Sequence, residues 1–381
     1  MSRRLLLAAL VGLLPCVADG VPLPWLVTWA AAPDTAGPAM REVTVRQAVR
    51  VSAGGVAVRI RLSNALGAAP LTLGPVSLGR AANGARSQRQ VLFGGKSTVT
   101  IAKGASALSD ALPFRVVPLD ELSLSILVNG EIAAPTIHSD ARQTAFLGQD
   151  GGASTTHRYF ITDVLVQARA ASIVIVGDSI SDGDGSRVDR NARWPDALAT
   201  RLQRASGAVA VVNSGISGNR LLNDGPVGDS MLQRFKRDAL DKEGVRWIVL
   251  EAGLNDIGLS GEAGLPGGEV SAAQVIAGLQ NLALRARAKG IKVWAATLTP
   301  YGGALAPLRH NEGAETKRVA VNAWIRQSRA FDHVLDFDAA IRDPRQPSHI
   351  APAYDSGDHV HPNDAGYGKL AKSVPLGFFL R

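Results

Sequence analysis

The chain has 381 residues, 46% of them hydrophobic, which is enough apolar matter for a sizeable core and a length suited to about two domains. Its formal charge is +8, but the basic residues are mostly arginines scattered along both halves with no aromatic-interleaved cluster, so the charge reads as a solvated basic surface and not as a nucleic-acid interface. The only cysteine, Cys16, falls in the leader described next, so the mature chain has no disulfide, thiol nucleophile or thiolate metal site.

Arg3 and Arg4 precede an apolar run from Leu5 to Leu14, and Ala18, Asp19 and Gly20 supply a cleavage site. This is the layout of a secretory signal peptide over residues 1–20, and its apolar run is too short to span a bilayer. "SRRLLL" also fits a twin-arginine export signal. Pro15 occupies the position where a lipid-modified cysteine calls for a small residue, so the leader is read as cleaved and not as an anchor. No later stretch is apolar enough for a transmembrane helix, which places the mature protein in the periplasm or outside the cell.

From about Val43 to Val128 the chain alternates on a period of two. The runs "VTVRQAVRVS", "VAVRIRLSN", "LTLGPVSLG", "STVTIAKG" and "LSLSILVNG" are separated by Gly, Asn or Pro. Short, regularly spaced strands predict a β-sandwich or jelly roll, assigned to a domain over residues 21–168. Arg46, Arg50, Arg59 and Arg61 fall on alternate positions, as on the solvated faces of two strands; the alternative is a sugar-binding face. The segment from Ala133 to Arg169 has no clear period and is read as a crossover packed against both domains. Its His138 and His157 are read as structural or surface histidines.

From about Ser172 the pattern changes. Apolar runs at Ile173 to Val176, Val209 to Val212, Trp247 to Leu250, Val293 to Ala296 and Val334 to Phe337 alternate with helix-period segments. Those segments include "WPDALATRLQRA", "SAAQVIAGLQNLALRARAKG" and "ETKRVAVNAWIRQSRAF". Buried strands separated by amphipathic helices predict an α/β domain over residues 169–381, a doubly wound parallel sheet covered on both faces. Ligands bind such sheets beyond the C-terminal ends of the strands.

In "IVIVGDSISDG" the first strand ends on Asp178 and Ser179. That pair fits an Asx-type turn capping the next helix, and it equally fits a nucleophile at a strand's C-terminal edge. A serine hydroxyl needs a base within hydrogen-bond reach and a third group to orient that base. Of seven histidines, His361 in "DHVHPND" has Asp358 three residues before it and Pro362 fixing the backbone after it, whereas His359 would point elsewhere. Taken alone, Asp-x-x-His also fits a surface turn. Donors for an oxyanion are offered by Gly218 in "SGISGNR" and by the side-chain amide of Asn255 in "GLND"; each also fits a glycine-rich turn or a helix cap. Ser179, Gly218 and Asn255 each follow a successive predicted parallel strand, which favours the catalytic reading of the set. The Gly-x-Ser-x-Gly elbow fails at Ser181, no Gly-rich run ends in Lys-Ser or Lys-Thr, and Asp358, His359 and His361 have no second ligand set for a metal.

These blocks resemble the SGNH, or GDSL, hydrolase superfamily over residues 172 to 381. They are Gly177-Asp178-Ser179 with Gly183 beyond, Asn213 to Gly218, Gly253-Leu254-Asn255-Asp256, and Asp358-x-x-His361-Pro362. The first block has Ile180 where the GDSL name has Leu. The resemblance implies Ser179 as nucleophile, His361 as base and Asp358 as orienter. It also implies an oxyanion hole from the Ser179 and Gly218 backbone N–H groups and the Asn255 side chain, with no metal or cofactor. "WLVTWAAAP" and "RLSNALG" resemble the β-domain that precedes the SGNH domain in some secreted bacterial esterases, including relatives of acetylxylan esterases. The expected function is a secreted serine esterase that removes acetyl or other acyl groups from an ester substrate, an acylated polysaccharide first. The alternatives are a lipase or lysophospholipase with the same triad and a non-catalytic carbohydrate-binding protein.

Overall fold

The computed structural model describes residues 22–82, 88–148, 152–205 and 208–380. The expected leader, its cleavage site and Cys16 lie outside the described residues.

The first part of the chain is antiparallel throughout. One four-stranded sheet runs in the order Trp25–Ala30, Ile161–Gln167, Val58–Ser63 and Ser106–Leu108. A larger sheet is built around Met40–Arg50, Glu121–Ile132 and Leu71–Arg80. Because side chains alternate across a strand, Val45, Val49, Leu122, Leu124 and Leu78 of the larger sheet share one core with Leu26, Ile60, Leu62 and Val164 of the smaller. A small third sheet joins Arg158–Tyr159, Thr136–His138 and Thr35–Ala36.

Two expectations for this part are corrected. The segment from Ala133 to Arg169 is not irregular: it holds the central strand Ile161–Gln167, buried along almost its whole length. Asp163 interrupts its apolar run and so hides the strand from a periodicity count. Three of the alternating arginines, Arg50, Arg59 and Arg61, are engaged with other parts of the protein and not simply solvated. Arg50 reaches Thr200 of the helical part, Arg59 lies over the Trp25 ring, and Arg61 pairs with Asp163 and Glu243.

The second part is a five-stranded parallel sheet of β1 (Ala171–Gly177), β2 (Val209–Asn213), β3 (Val245–Glu251), β4 (Lys292–Ala296) and β5 (His333–Leu335), in the order β2-β1-β3-β4-β5. Even-numbered side chains of the first strands (Val174, Val176, Ile248, Leu250) pack under α2 (Ala272–Arg287) and α3 (Glu312–Gln327). Odd-numbered ones (Ile173, Ile175, Trp247, Val249) pack under α1 (Trp194–Ala205) and α4 (Asp364–Ser373). The near-continuous apolar strands of the sequence follow from this double coverage. Helix α2 begins at a capping box in which Ser271 and Gln274 satisfy each other's backbone N–H groups. The fifth strand stops at Leu335, two residues short of the expected end. Asp336 accepts the Ala339 N–H and starts a short helix, Phe337–Ile341.

The two parts share a seam. Val27, Ala30 and Leu165 belong to the same core as Val174, Val176 and Ile248. The Val27 N–H donates to Glu243 O at 2.9 Å, the Ser172 hydroxyl donates to Val27 O at 2.6 Å, and the Val211 N–H donates to Ser52 Oγ at 2.9 Å. Lys242 and Arg61 both pair with the buried Asp163, at 2.5 and 2.9 Å. No helix among the described residues is long and apolar enough to cross a membrane.

Candidate active site

The sheet delivers the candidate residues to one edge. Strand β1 ends at Gly177 and leads directly into the helical turn Ser179–Asp182, so Ser179 sits in its first position. Asp178 caps that turn by accepting the Ile180 N–H at 3.0 Å, so the acid is committed to the cap while the next hydroxyl, buried at 6% exposure, is left to meet the histidine loop. After β2 the chain turns through Ser214 to Gly218, and after β3 the helix Leu254–Gly258 carries Asn255. His361 lies in the loop before α4.

Ser179 Oγ lies 2.8 Å from His361 Nε2, and His361 Nδ1 lies 2.6 Å from Asp358 Oδ2. Asp358 also accepts the backbone N–H groups of Val360 and His361 on its other oxygen, so one tight loop holds both the imidazole and its partner. Burial opposes charge on Asp358, but the His361 side chain and those two N–H donors hold its pKa well below the usual carboxylate range. Burial likewise disfavours charge on His361, yet the bond to Asp358 and the charges of Asp184, Asp358 and Asp178 raise its pKa above that of a free imidazole. His359 turns away to Asp355, 2.6 Å from its Nδ1.

Three donors face no protein acceptor. Among the described residues no hydrogen bond engages the backbone N–H of Ser179 or of Gly218. The first belongs to the orphan donors of a helix start. Gly218 holds a φ of +71°, where a side chain is disfavoured, and a Cβ there would press on Val227 at 3.1 Å. The Asn255 amide donates one N–H to Asn219 O at 3.0 Å, which fixes its plane and leaves the second N–H uncommitted. Neither Asn255 nor Asp256 caps its helix, as the alternative reading of "GLND" had it. The cap position is Gly253 without a side-chain bond, and Asp256 instead accepts the Leu221 and Leu222 N–H groups.

Several supporting residues carry no local sequence signal. Arg234, fully buried, donates to Gly177 O, Ser214 O and Asn219 Oδ1, tying the ends of β1 and β2 together. Glu251, at the end of β3, accepts the Ser181 hydroxyl at 2.9 Å within the turn that carries Ser179. Burial beside Asp178 pushes its pKa well above the usual range. Asp184 lies 3.9 Å from His361 Nε2 and accepts the Ser217 hydroxyl. Burial, with Asp182 nearby, pushes Asp184 up to about 6. Gly185 passes so close to the histidine loop that a Cβ would meet Pro362 O at 2.7 Å. Among the described residues no group of three or more His, Cys, Asp or Glu side chains is placed to hold a metal ion.

A hydroxyl bonded to an imidazole that is itself held by a carboxylate, beside uncommitted N–H donors, is an arrangement suited to acyl transfer. The profile of the GDSL-like Lipase/Acylhydrolase family matches residues 175–369, just over half of the chain. No curated protein gives a significant match. Among solved structures, the chain is similar to a variant of the acetylxylan esterase Axe2 from Geobacillus stearothermophilus, with 20% identity over 53% of this chain and 91% of that one and a TM-score of 0.41. It is also similar to a GDSL-like lipase from Bacteroides thetaiotaomicron, with 19% identity over 53% and 84% of the two chains and a TM-score of 0.39. The blocks that carry Ser179, Gly218, Asn255 and His361 all fall inside the matched span, and the chain belongs to the GDSL-like lipase/acylhydrolase family.

Proposed function

We propose that this chain is a secreted serine esterase that removes acyl groups, acetyl first, from a carbohydrate through an acyl-enzyme. The observation that carries the reading is the continuous relay from Ser179 Oγ through His361 to Asp358, at 2.8 and 2.6 Å. In the first half-reaction Ser179 Oγ attacks the ester carbonyl carbon while His361 Nε2 takes the hydroxyl proton. The resulting oxyanion is met by the N–H groups of Ser179 and Gly218 and by the second N–H of Asn255. Collapse breaks the bond to the alcohol oxygen, which leaves with the proton from His361. Water then repeats the sequence on the acyl-enzyme, returning Ser179 and releasing the acid. Asp358 holds the imidazole orientation and balances its transient positive charge.

Polar groups beside His361 Nε2, Asp184 with the Ser217 hydroxyl bonded to it, favour a hydrated alcohol over a long lipid chain. Secretion rests on the Arg3–Arg4 leader with its short apolar run. The test is a panel of p-nitrophenyl esters of rising acyl length beside acetylated xylan, with Ser179→Ala as the control. The expected result is preference for acetate, release of acetate from xylan, and a loss of at least about a thousandfold in Ser179→Ala. Preference for long acyl chains would favour the lipase reading, and a Ser179→Ala variant with a tenth of wild-type activity would remove Ser179 as nucleophile. N-terminal sequencing of the exported protein, expected to begin near residue 21, tests the leader.

A further inference from the structure

Among the residues by which the antiparallel part reaches the parallel part, His138 meets the helical turn that carries Ser179. His138, in the strand Thr136–His138, is 4% exposed. Its Nδ1 lies 2.9 Å from Ala32 O and its Nε2 lies 3.1 Å from Asp182 Oδ1. A carbonyl oxygen only accepts, so Nδ1 carries a proton. The Asp182 carboxylate accepts as well, from His138 on one oxygen and from the Ser217 N–H on the other at 2.9 Å, so Nε2 also carries a proton. The ring is therefore an imidazolium, and Asp34, 3.6 Å from Nδ1, supplies a second buried counter-charge. Asp34 is itself fixed by the backbone N–H and hydroxyl of Ser139.

Asp182 stands between two of the proposed oxyanion donors. It closes the same helical turn that Ser179 opens, and the N–H it holds, that of Ser217, immediately precedes Gly218. The loop that covers Gly218 is backed by the same part of the chain: Val227 lies over Gly218, and the neighbouring Gly228 lies against Asp34. We propose that His138 is a positioning residue for the oxyanion hole: through Asp182 it locks the Ser179 turn and the Ser217–Gly218 backbone in one register, so that both uncommitted N–H groups converge on the same point. The antiparallel part then acts in turnover without touching the substrate.

This inference rests on the esterase reading, so wild-type hydrolysis of p-nitrophenyl acetate and its loss in Ser179→Ala are measured first; failure there sinks the esterase reading itself. Given that activity, His138→Gln and Asp182→Asn are compared with wild type for kcat, KM and the inhibition constant of phenylboronic acid, which forms a tetrahedral adduct on a reactive serine. Asn at 182 keeps the shape but presents an amide N–H to one of the two donors, so one brace is lost. The expected result is a fall in kcat of about ten- to a hundredfold with KM within about twofold, and boronate binding weakened in parallel with kcat. A role confined to stability lowers the melting temperature while leaving kcat and boronate affinity of the folded protein intact, and that outcome overturns the proposal. If His138→Gln does not fold, the near-isosteric Asp182→Asn decides alone.

Discussion

Asp184 stands 3.9 Å from Nε2 of His361, the nitrogen that faces Ser179 and not the one held by Asp358. A general base works only when neutral, and the Asp184 charge favours its protonated form. Asp184→Asn removes that charge, so the pKa of His361 falls and the acid limb of the kcat/KM profile moves to lower pH. A pH–rate series on the two proteins checks the direction; a limb that stays in place, or moves upward, would show that Asp184 does not act on His361.

The two histidines of "DHVHP" face different partners, and their substitutions are expected to separate. His361→Ala removes the base and costs nearly as much as loss of the serine. His359→Ala breaks a half-exposed pair with Asp355 and leaves most activity in place. Asp358→Asn falls between them, because the imidazole remains but is less firmly held. The ranking is read from kcat/KM on one short-chain ester, and the reverse order would transfer the base to His359.

Asn255→Ala is expected to lower kcat by about a hundred- to a thousandfold while KM changes little, since its second N–H meets charge only as the tetrahedral intermediate forms. The same change strands the buried Asn219 carbonyl, so a loss of about 1–3 kcal/mol in stability accompanies it. The discriminating measurement is therefore the split between kcat and KM on folded protein, with a thermal melt run alongside. A normal kcat would remove Asn255 from the oxyanion hole.

Burial alone would lower the pKa of His138, but the charges and bonds of Asp182, with Asp34 and Ala32 O, raise it from 6.5 to about 9. The folded state thus binds this proton more tightly than the unfolded state. The linked stability is complete below about pH 6.5 and is lost as pH rises through about 9, on the order of 3 kcal/mol in all. Melting temperatures between those limits should fall in wild type and change less in His138→Gln. Equal slopes in the two proteins would mean that His138 is not charged in the fold.

Much of the fold was legible because its signals are local. The apolar runs of the parallel strands, the helix-period segments between them and the glycine at 218 each announce themselves within a short stretch. Three blocks of the candidate site were legible for a related reason: those of Ser179, Gly218 and Asn255 each follow closely on a strand end, and the sheet order brings those ends together, whereas Asp358 and His361 come from a loop well past the last strand. What escaped depends on partners far along the chain. His138 meets Asp182 across 44 residues and Arg61 meets Glu243 across 182, and no periodicity foretells either pairing. Asp163 interrupts the apolar run of the strand Ile161–Gln167, and the cations that allow its burial, Lys242 and Arg61, come from elsewhere in the chain. At Phe337 an apolar residue read as strand was claimed by the cap that Asp336 provides.

The seam between the antiparallel and parallel parts bears on how this enzyme could be shortened. Gln167 ends one kind of sheet and Ala171 begins the other, so the change of architecture falls within a few residues. A truncation placed there would strip Val27, Ala30 and Leu165 from Val174 and Val176, leaving an oily scar on each fragment, and would strand Lys242 without Asp163. The parallel half cut at that point would thus expose apolar surface that the antiparallel part covers in the whole chain. Any compact derivative would need that scar resurfaced before its catalytic blocks could be judged.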